Sequence, residues 1–151
     1  MAGVSVEVIN LKQVQQAFDQ LKKNTTDLKP VFADIGEAML NNTRDRLEAG
    51  SDIYGNAFVP LKPKTLKYKK KNRDKVLIDE GYLHGTLAYQ LVHNGVELGS
   101  DRKYAAIHQF GSANGTFKKP SGIPARPFLG VTPQDEQEII NIIRDHISSK
   151  F

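Results

Sequence analysis

An alternating run over residues 83–92, closed by Asn94-Gly95, constrains the fold of this chain more than any other feature. Successive side chains of a β-strand point to opposite faces, so such an alternation predicts a strand with one buried face. Asn-Gly readily adopts positive φ and is followed by Val96-Glu97-Leu98, which predicts a type I′ turn between two antiparallel strands. The alternating residues of the first strand are Leu83, Gly85, Leu87, Tyr89 and Leu91.

Apolar residues at helical spacing predict three amphipathic helices, over residues 11–23, 28–48 and 133–149. The second should end at Ala49-Gly50, since glycine is the commonest residue just past a helix C-terminus. The third begins after Thr132, a capping residue to which Asp135 can reach back. The apolar stripe of this last helix is expected to comprise Ile139, Ile140, Ile143 and Ile147.

Shorter elements complete the predicted order. Residues 5–9 alternate as a strand does, residues 76–78 form a short buried strand or helical turn, and residues 104–110 form one or two helical turns. Prolines within 123–131 favour an extended edge strand. We therefore expect one α+β domain over residues 1–151, with a small antiparallel sheet and a central β-hairpin packed against two N-terminal helices and one C-terminal helix.

Two stretches are predicted to be long loops, at about 50–75 and 111–122, because glycine, proline and polar residues interrupt every periodic pattern there. The first loop contains the basic segment, defined here as residues 62–75, with eight cationic side chains against Asp74. The net charge of the whole chain is only +4, so the remainder is net negative. The cations expected to matter are Lys64, Lys67, Lys69, Lys70, Lys71 and Arg73.

The basic segment has two interpretations. Lysines around one tyrosine, Tyr68, could contact DNA phosphates or another anionic partner, and such binding would weaken with salt. Alternatively, the segment is a solvated loop, as charge runs usually are. One tyrosine makes a poor stacking platform, and no helix-turn-helix or RNA-binding signature accompanies it.

Nothing in the sequence indicates catalysis. The chain has no cysteine, so zinc sites with thiolate ligands and disulfides are excluded. None of the histidines shows the i, i+4 spacing of a zinc-binding helix, and no nucleophile-elbow or phosphate-loop motif occurs. No apolar run is long enough to span a bilayer, and no secretory signal is visible. We therefore expect no enzyme activity, cofactor, metal or membrane partner.

Two segments rich in aromatic residues, glycine and proline stand out, and we call them the signature segments: residues 104–111, Tyr-Ala-Ala-Ile-His-Gln-Phe-Gly, and residues 123–130, Ile-Pro-Ala-Arg-Pro-Phe-Leu-Gly. With Thr43-Arg44-Asp45-Arg46, the stretch 50–61 and Leu77-Ile78-Asp79 before them, they resemble the phage virion morphogenesis, or tail completion, family over roughly residues 30 to 150. One departure is Phe58, which stands where the family often has tryptophan.

The resemblance implies a non-catalytic structural protein that completes the phage tail and helps join it to the head. It implies a homo-oligomer, often a ring, in contact with other tail or head–tail connector proteins. The protein would be made in the bacterial host cytoplasm and reside in the tail or neck of the virion. The alternative function is a DNA-binding module of phage or prophage origin that acts through the basic segment.

Within this picture the signature segments are expected to form subunit interfaces. Arg126 is predicted either to clamp a carboxylate of a neighbouring subunit or to form a salt bridge within the fold. The candidate interface residues are Tyr104, His108, Gln109, Phe110, Gly111, Arg126, Pro127, Phe128 and Leu129.

Overall fold

A computed structural model describes residues 4–5, 11–79, 81–112 and 122–148. Within these ranges the strands are β1 Val4–Ser5, β2 Ala88–Val92 and β3 Gly95–Ser100. The helices are α1 Lys12–Lys22, α2 Lys29–Ala49, α3 Pro63–Tyr68, α4 Tyr82–Thr86, α5 Ala105–Phe110 and α6 Pro133–Ser148.

The described strands form an antiparallel sheet in the order β1-β3-β2, with β3 in the middle. β2 and β3 form the predicted hairpin, and β1 pairs with the far end of β3 through Val4 and Ser100. The hairpin lies against α2, and α6 packs on α1 and α2. This arrangement confirms the predicted α+β class with helices grouped against a small antiparallel sheet.

The prediction of a type I′ turn at Asn94-Gly95 is wrong. Val92 pairs with Gly95, so the two residues that connect the strands are His93 and Asn94. A type I′ turn needs positive φ at both central residues. Of the two, only Asn94 has it, at 59°. The strongest local signal thus identified the hairpin but placed its turn one residue too late.

The first half of the predicted strand 83–92 is also wrong, because residues 82–86 form α4. Leu83 and Leu87 are four residues apart, a spacing that places two side chains on one face of a helical turn. Both are buried, at 4% and 2% exposure. The same two leucines therefore fit a period of two and a helical period, and Gly81, at φ 85°, starts the helix.

The three long helices match the prediction closely. α2 ends at Gly50, which adopts the left-handed conformation at φ 73°. At the start of α6, the Asp135 amide donates to Thr132 Oγ1 at 3.1 Å, and the Thr132 amide donates to Asp135 Oδ2 at 3.0 Å. These two bonds form the predicted reciprocal cap, which satisfies donors that a helix N-terminus otherwise leaves unpaired.

Two hydrophobic clusters make up the core, and α2 contributes to both. One joins Leu40 and Leu47 to Phe58, Phe128 and the turn after the basic segment. The other packs α1, α2 and α6 together, and its buried members are Ala17, Leu21, Val31, Ile35, Met39, Ile139 and Ile143. Within the α6 stripe, Ile139, Ile140 and Ile143 are buried as predicted, while Ile147 is half-buried.

The region predicted as a loop over 50–75 is more ordered than expected. Ser51 bridges Ala57, Phe58 is buried at 3% exposure, and α3 follows within the basic segment. Residues 76–78 are a buried turn, neither strand nor helix. A buried aromatic anchor organises this stretch without giving it a periodic pattern.

Residues 123–131 form no strand, so the predicted edge strand is wrong. Their backbone bonds instead to α5 and to Ile53. Of the predicted strand 5–9, only Ser5 lies in the described residues, and of the predicted loop 111–122, residues 113–121 lie outside them. Among the helices of the described ranges, none combines the length and apolar character that a membrane crossing requires.

Candidate functional site

The first signature segment forms α5 and ends at a glycine that the local geometry requires. Gly111 has φ 75°, a conformation that L-residues with side chains rarely adopt. A Cβ at this position would also lie 2.8 Å from the Ala125 backbone nitrogen. The chain therefore turns at Gly111 so that the second signature segment can pass directly beside α5.

Gln109 joins the two signature segments through its side-chain amide. Its Oε1 accepts hydrogen bonds from the Phe128 amide at 3.1 Å and the Leu129 amide at 2.9 Å. Its Nε2 donates to the Leu129 carbonyl at 3.0 Å. Gln109 is only 6% exposed, so these bonds satisfy backbone groups that burial would otherwise leave unpaired.

Arg126 is also buried, at 4% exposure, and its guanidinium bonds to backbone carbonyls. Nε donates to the Val59 carbonyl at 2.7 Å and Nη2 donates to the Pro60 carbonyl at 3.1 Å. The Arg126 amide donates to the His108 carbonyl at 2.7 Å. Arg126 thus fixes the stretch after Phe58 onto the signature segments, and burial lowers the pKa of its guanidinium.

His108 contacts the Tyr104 ring and is close enough to Arg126 to feel its charge. Its ring meets the Tyr104 ring edge-on, with centroids 6.0 Å apart. Its Nδ1 is buried and has no hydrogen-bond partner within the described part of the chain. Burial lowers the pKa of the His108 imidazole, and the positive charge of Arg126 lowers it further. Both effects favour the neutral form of the imidazole.

A buried ion pair supports the second signature segment from behind, and the sequence reasoning missed it. Arg46 Nη2 lies 3.1 Å from Asp135 Oδ2, and Arg46 Nη1 donates to the Phe128 carbonyl at 2.7 Å. Asn42 donates to the other carboxylate oxygen of Asp135 at 2.9 Å. Asp135 was predicted only as a cap. The available signal was the position of Arg46 on the same helical face as Met39 and Thr43.

The predicted interface residues include buried and exposed side chains, with His108 and Pro127 half-buried. Phe128 and Leu129 belong to the core at 0% and 2% exposure, and the Pro127 carbonyl accepts a bond from the Ile53 amide. Tyr104 and Phe110 are 39% and 47% exposed. The hypothesis that this region contacts another subunit therefore concerns the exposed aromatic side chains, since the buried residues hold the fold.

The basic segment uses some of its cations for its own structure. Lys69, 9% exposed, donates from Nζ to the Lys75 carbonyl, and Arg73 donates to the Lys69 carbonyl at 3.0 Å. Lys75 pairs with the Glu48 carboxylate, and this bond raises the pKa of Lys75 and lowers that of Glu48. Burial lowers the pKa of Lys69. These three cations are therefore not part of a freely solvated loop.

Across residues 4–5, 11–79, 81–112 and 122–148, no three His, Asp or Glu side chains group as metal ligands would. A cavity of about 430 Å³ lies between α1, α2 and the hairpin. It is lined mainly by apolar side chains such as Phe18, Phe32 and Met39.

Comparison with known proteins identifies a consistent set of relatives. The family model described as the phage virion morphogenesis family matches residues 9–148. The Haemophilus influenzae protein named Mu-like prophage FluMu G protein 2 is 30% identical over 143 residues, which cover 95% of each chain. No solved structure gives a significant match.

Two phage proteins are similar as well. An Escherichia phage Mu protein, provisionally named capsid assembly protein G, is 30% identical over 153 residues, covering 93% of this chain and 92% of its own. Tail completion protein S of Escherichia phage P2 is 30% identical over 122 residues, covering 76% of this chain and 81% of its own.

Proposed function

Because the chain belongs to the phage virion morphogenesis family, we propose that it is a non-catalytic structural protein that completes the phage tail and helps to join it to the head. The observation that carries this proposal is the family match over residues 9–148, which includes both signature segments. The buried polar side chains of the signature segments, Gln109 and Arg126, bond to backbone groups, a role suited to a scaffold.

The names of the relatives leave two stages of assembly to distinguish. The P2 relative is named for tail completion, whereas the Mu relative is provisionally named for capsid assembly. We assign this chain to the tail, in the neck region of the virion. There it would bind other tail or head–tail connector proteins and associate with copies of itself, as a ring.

The surface best suited to a subunit contact is the α5 face, defined as the side chains of Val59, Tyr104 and Phe110. All three are large and apolar or aromatic, and they are 47%, 39% and 47% exposed. Val59 is held near α5 because its carbonyl accepts the bond from Arg126, whose amide bonds to His108. Exposed aromatic side chains on a rigid support are typical anchors of protein interfaces.

Electron microscopy of particles that lack the protein tests the stage of assembly. In the phage or prophage that encodes this chain, deletion of its gene is expected to leave filled heads and separate tails in the lysate. Supplying the gene in trans should restore joined particles. Loss of the heads themselves would assign the protein to capsid assembly and overturn the proposal for the tail.

Light scattering coupled to size-exclusion chromatography tests the α5 face. The double variant Tyr104→Glu, Phe110→Glu should lose self-association or capture by purified tails, because two charges would have to be buried in the contact. The matched control is Tyr54→Glu, which changes a tyrosine that is 75% exposed elsewhere on the surface. Equal behaviour of both variants would remove the α5 face from the interface.

A further inference from the structure

The basic segment carries a second, outward-facing set of cations. Beyond Lys69, Arg73 and Lys75, which bond within the protein, five lysine side chains are exposed to solvent. Within the part of the chain that the structure describes, none of the five forms an ion pair. They are Lys62, Lys64, Lys67, Lys70 and Lys71.

The cations that bond within the protein hold this surface in shape. Lys69 and Arg73 bond to backbone carbonyls of the segment itself, while Lys75 ties its end to Glu48 of α2. Asn72 also donates to the Asp79 carbonyl at 2.8 Å. The exposed lysines therefore project from a folded support, and less backbone ordering remains to oppose binding of a ligand.

Two of the exposed cations are neighbours on α3. Lys64 and Lys67 are three residues apart on this helix, so their side chains are neighbours. Tyr68 lies beside them, 68% exposed, with the Lys67 ammonium 5.9 Å from its ring centroid. Lys70 and Lys71 follow immediately after the helix.

From this geometry we propose that the outward face of the basic segment binds the sugar–phosphate backbone of duplex DNA without reading its sequence. Lysine binds phosphate as a point charge and imposes no bidentate geometry, whereas the fork of arginine adds geometric specificity towards carboxylates and phosphates alike. The exposed cations whose side chains form no bond within the described residues are all lysines, while the exposed Arg73 donates from Nη1 to the Lys69 carbonyl. Point charges of this kind suit contacts that position a phosphate backbone without reading its sequence. Tyr68, the only aromatic residue of the segment, does not provide the series of stacking platforms typical of single-strand binders.

Fluorescence anisotropy with a labelled duplex of about 20 base pairs, titrated with the purified full chain at about 50 to 200 mM salt, tests the proposal. Each phosphate contact releases counterions, so the logarithm of the binding constant should fall with the logarithm of salt concentration. If four or five lysines engage, the expected slope is roughly −4. Absence of binding at the lowest salt would overturn the proposal.

Two quadruple variants with the same net charge distinguish a DNA-binding site on the basic segment from a general attraction of DNA to a positively charged protein. Lys64→Gln, Lys67→Gln, Lys70→Gln, Lys71→Gln should weaken binding at least about tenfold and flatten the salt slope. The control replaces four exposed lysines elsewhere, Lys12, Lys22, Lys23 and Lys29, by glutamine and should change affinity much less. Equal losses in the two variants would show that net charge alone is responsible, which would contradict a site on the basic segment.

The same titration distinguishes DNA from an acidic protein partner. Polyglutamate at matched charge concentration should compete weakly for the wild-type chain, and a single-stranded oligonucleotide of equal length should bind less tightly than the duplex. Polyglutamate that competes as well as unlabelled duplex would assign the surface to carboxylates. Unfolding midpoints of both quadruple variants should match the wild type. The double variant Lys70→Gln, Lys71→Gln is a smaller change that should still make the salt dependence of DNA binding less steep.

Discussion

In the signature segments the polar side chains turn inward, whereas in the basic segment most charged side chains turn outward. Gln109 and Arg126 are at most 6% exposed and bond to backbone groups. Lys64 and Lys70 are exposed and free of ion pairs among the described residues. Both regions were predicted as contact surfaces, so the difference separates residues that build the fold from those available to a partner.

Residue type explains this difference. An amide or a guanidinium has several donors in a fixed geometry and can satisfy backbone groups where no regular strand does so. A lysine has one flexible point charge, which is costly to bury and is usually left in water. The signature segments contain irregular buried backbone and therefore need Gln109 and Arg126. The basic segment lies at the surface and buries one lysine, Lys69.

The largest expected effect is from Gln109→Met, which keeps the side-chain length and removes three hydrogen bonds. The amides of Phe128 and Leu129 and the Leu129 carbonyl would be left buried without partners. We expect the free energy of unfolding to fall by about 3 kcal/mol, measured by urea denaturation.

Gln137→Met is the matched control for this change. Gln137 is exposed on α6 and bonds only to the neighbouring Asn141 side chain. Its replacement should change the free energy of unfolding by less than about 0.5 kcal/mol. Similar losses in the two variants would mean that the signature segments do not depend on inward-facing polar bonds.

The second effect comes from Gly111→Ala, which adds a single methyl group. Gly111, at φ 75° and ψ 171°, lies in a backbone region that is essentially restricted to glycine and costs an alanine about 1–3 kcal/mol. The contact with the Ala125 backbone cannot be relieved by a rotamer change. We expect a total loss of about 2–3 kcal/mol in unfolding free energy.

Gly55→Ala measures the cost of a side chain at positive φ where no close contact exists. Gly55 also has positive φ, at 84°, but a Cβ there would meet nothing within 4 Å. The expected cost is therefore about 1 kcal/mol. If thermal or urea denaturation gave equal costs at both glycines, the close approach of the two signature segments would not contribute.

The third effect tests the distinction between lysines of the basic segment that bond within the protein and lysines that are exposed to solvent. Lys69→Met removes the bond to the Lys75 carbonyl and should cost about 1 kcal/mol in unfolding free energy. Lys70→Met changes an exposed lysine and should cost less than about 0.5 kcal/mol. Only the second variant should weaken binding to duplex DNA while leaving stability intact. A reversed order would show that the assignment of inner and outer cations is wrong.

The sequence predicted those elements whose signals are local. The helical periods and the caps at Gly50 and Thr132 depend on neighbours within one or two turns, and the structure confirms them. The position of the hairpin turn was predicted one residue too late, because the positive φ lies at Asn94 alone and not at both Asn94 and Gly95. α4 was missed because Leu83 and Leu87 fit both a strand and a helix.

The roles of the buried polar residues were beyond the reach of sequence patterns. Gln109 bonds across 20 residues and Arg126 across 67, and nothing between the partners indicates the pairing. A composition of aromatic residues, glycine and proline shows that the backbone bends. It does not show which side chain forms the hydrogen bonds that the buried backbone groups need. The exposed lysines were easier to identify, since a run of like charges is recognisable without knowing the fold.

The smallest expected effect is a change in the pH dependence of stability at His108. Burial, assisted by Arg126, holds the pKa of its imidazole below the ordinary value of 6.5. The unfolded chain therefore takes up this proton first as pH falls. The free energy of unfolding therefore has its full value, as far as His108 is concerned, above pH 6.5. It decreases as the pH falls from there toward the lower pKa of the folded state.

Urea denaturation of the wild type and of His108→Gln, at several pH values between about 8 and 5, measures this contribution. The variant should lose less stability than the wild type over the acidic half of the range, because glutamine binds no proton. His93→Gln, at the exposed hairpin turn, should keep the wild-type pH dependence. If the free energy of unfolding of the wild type and of His108→Gln changed with pH in parallel, the imidazole would protonate as readily in the folded chain as in the unfolded one. Gln109 and Arg126 would then be the polar side chains of the signature segments whose burial affects stability, and His108 would not.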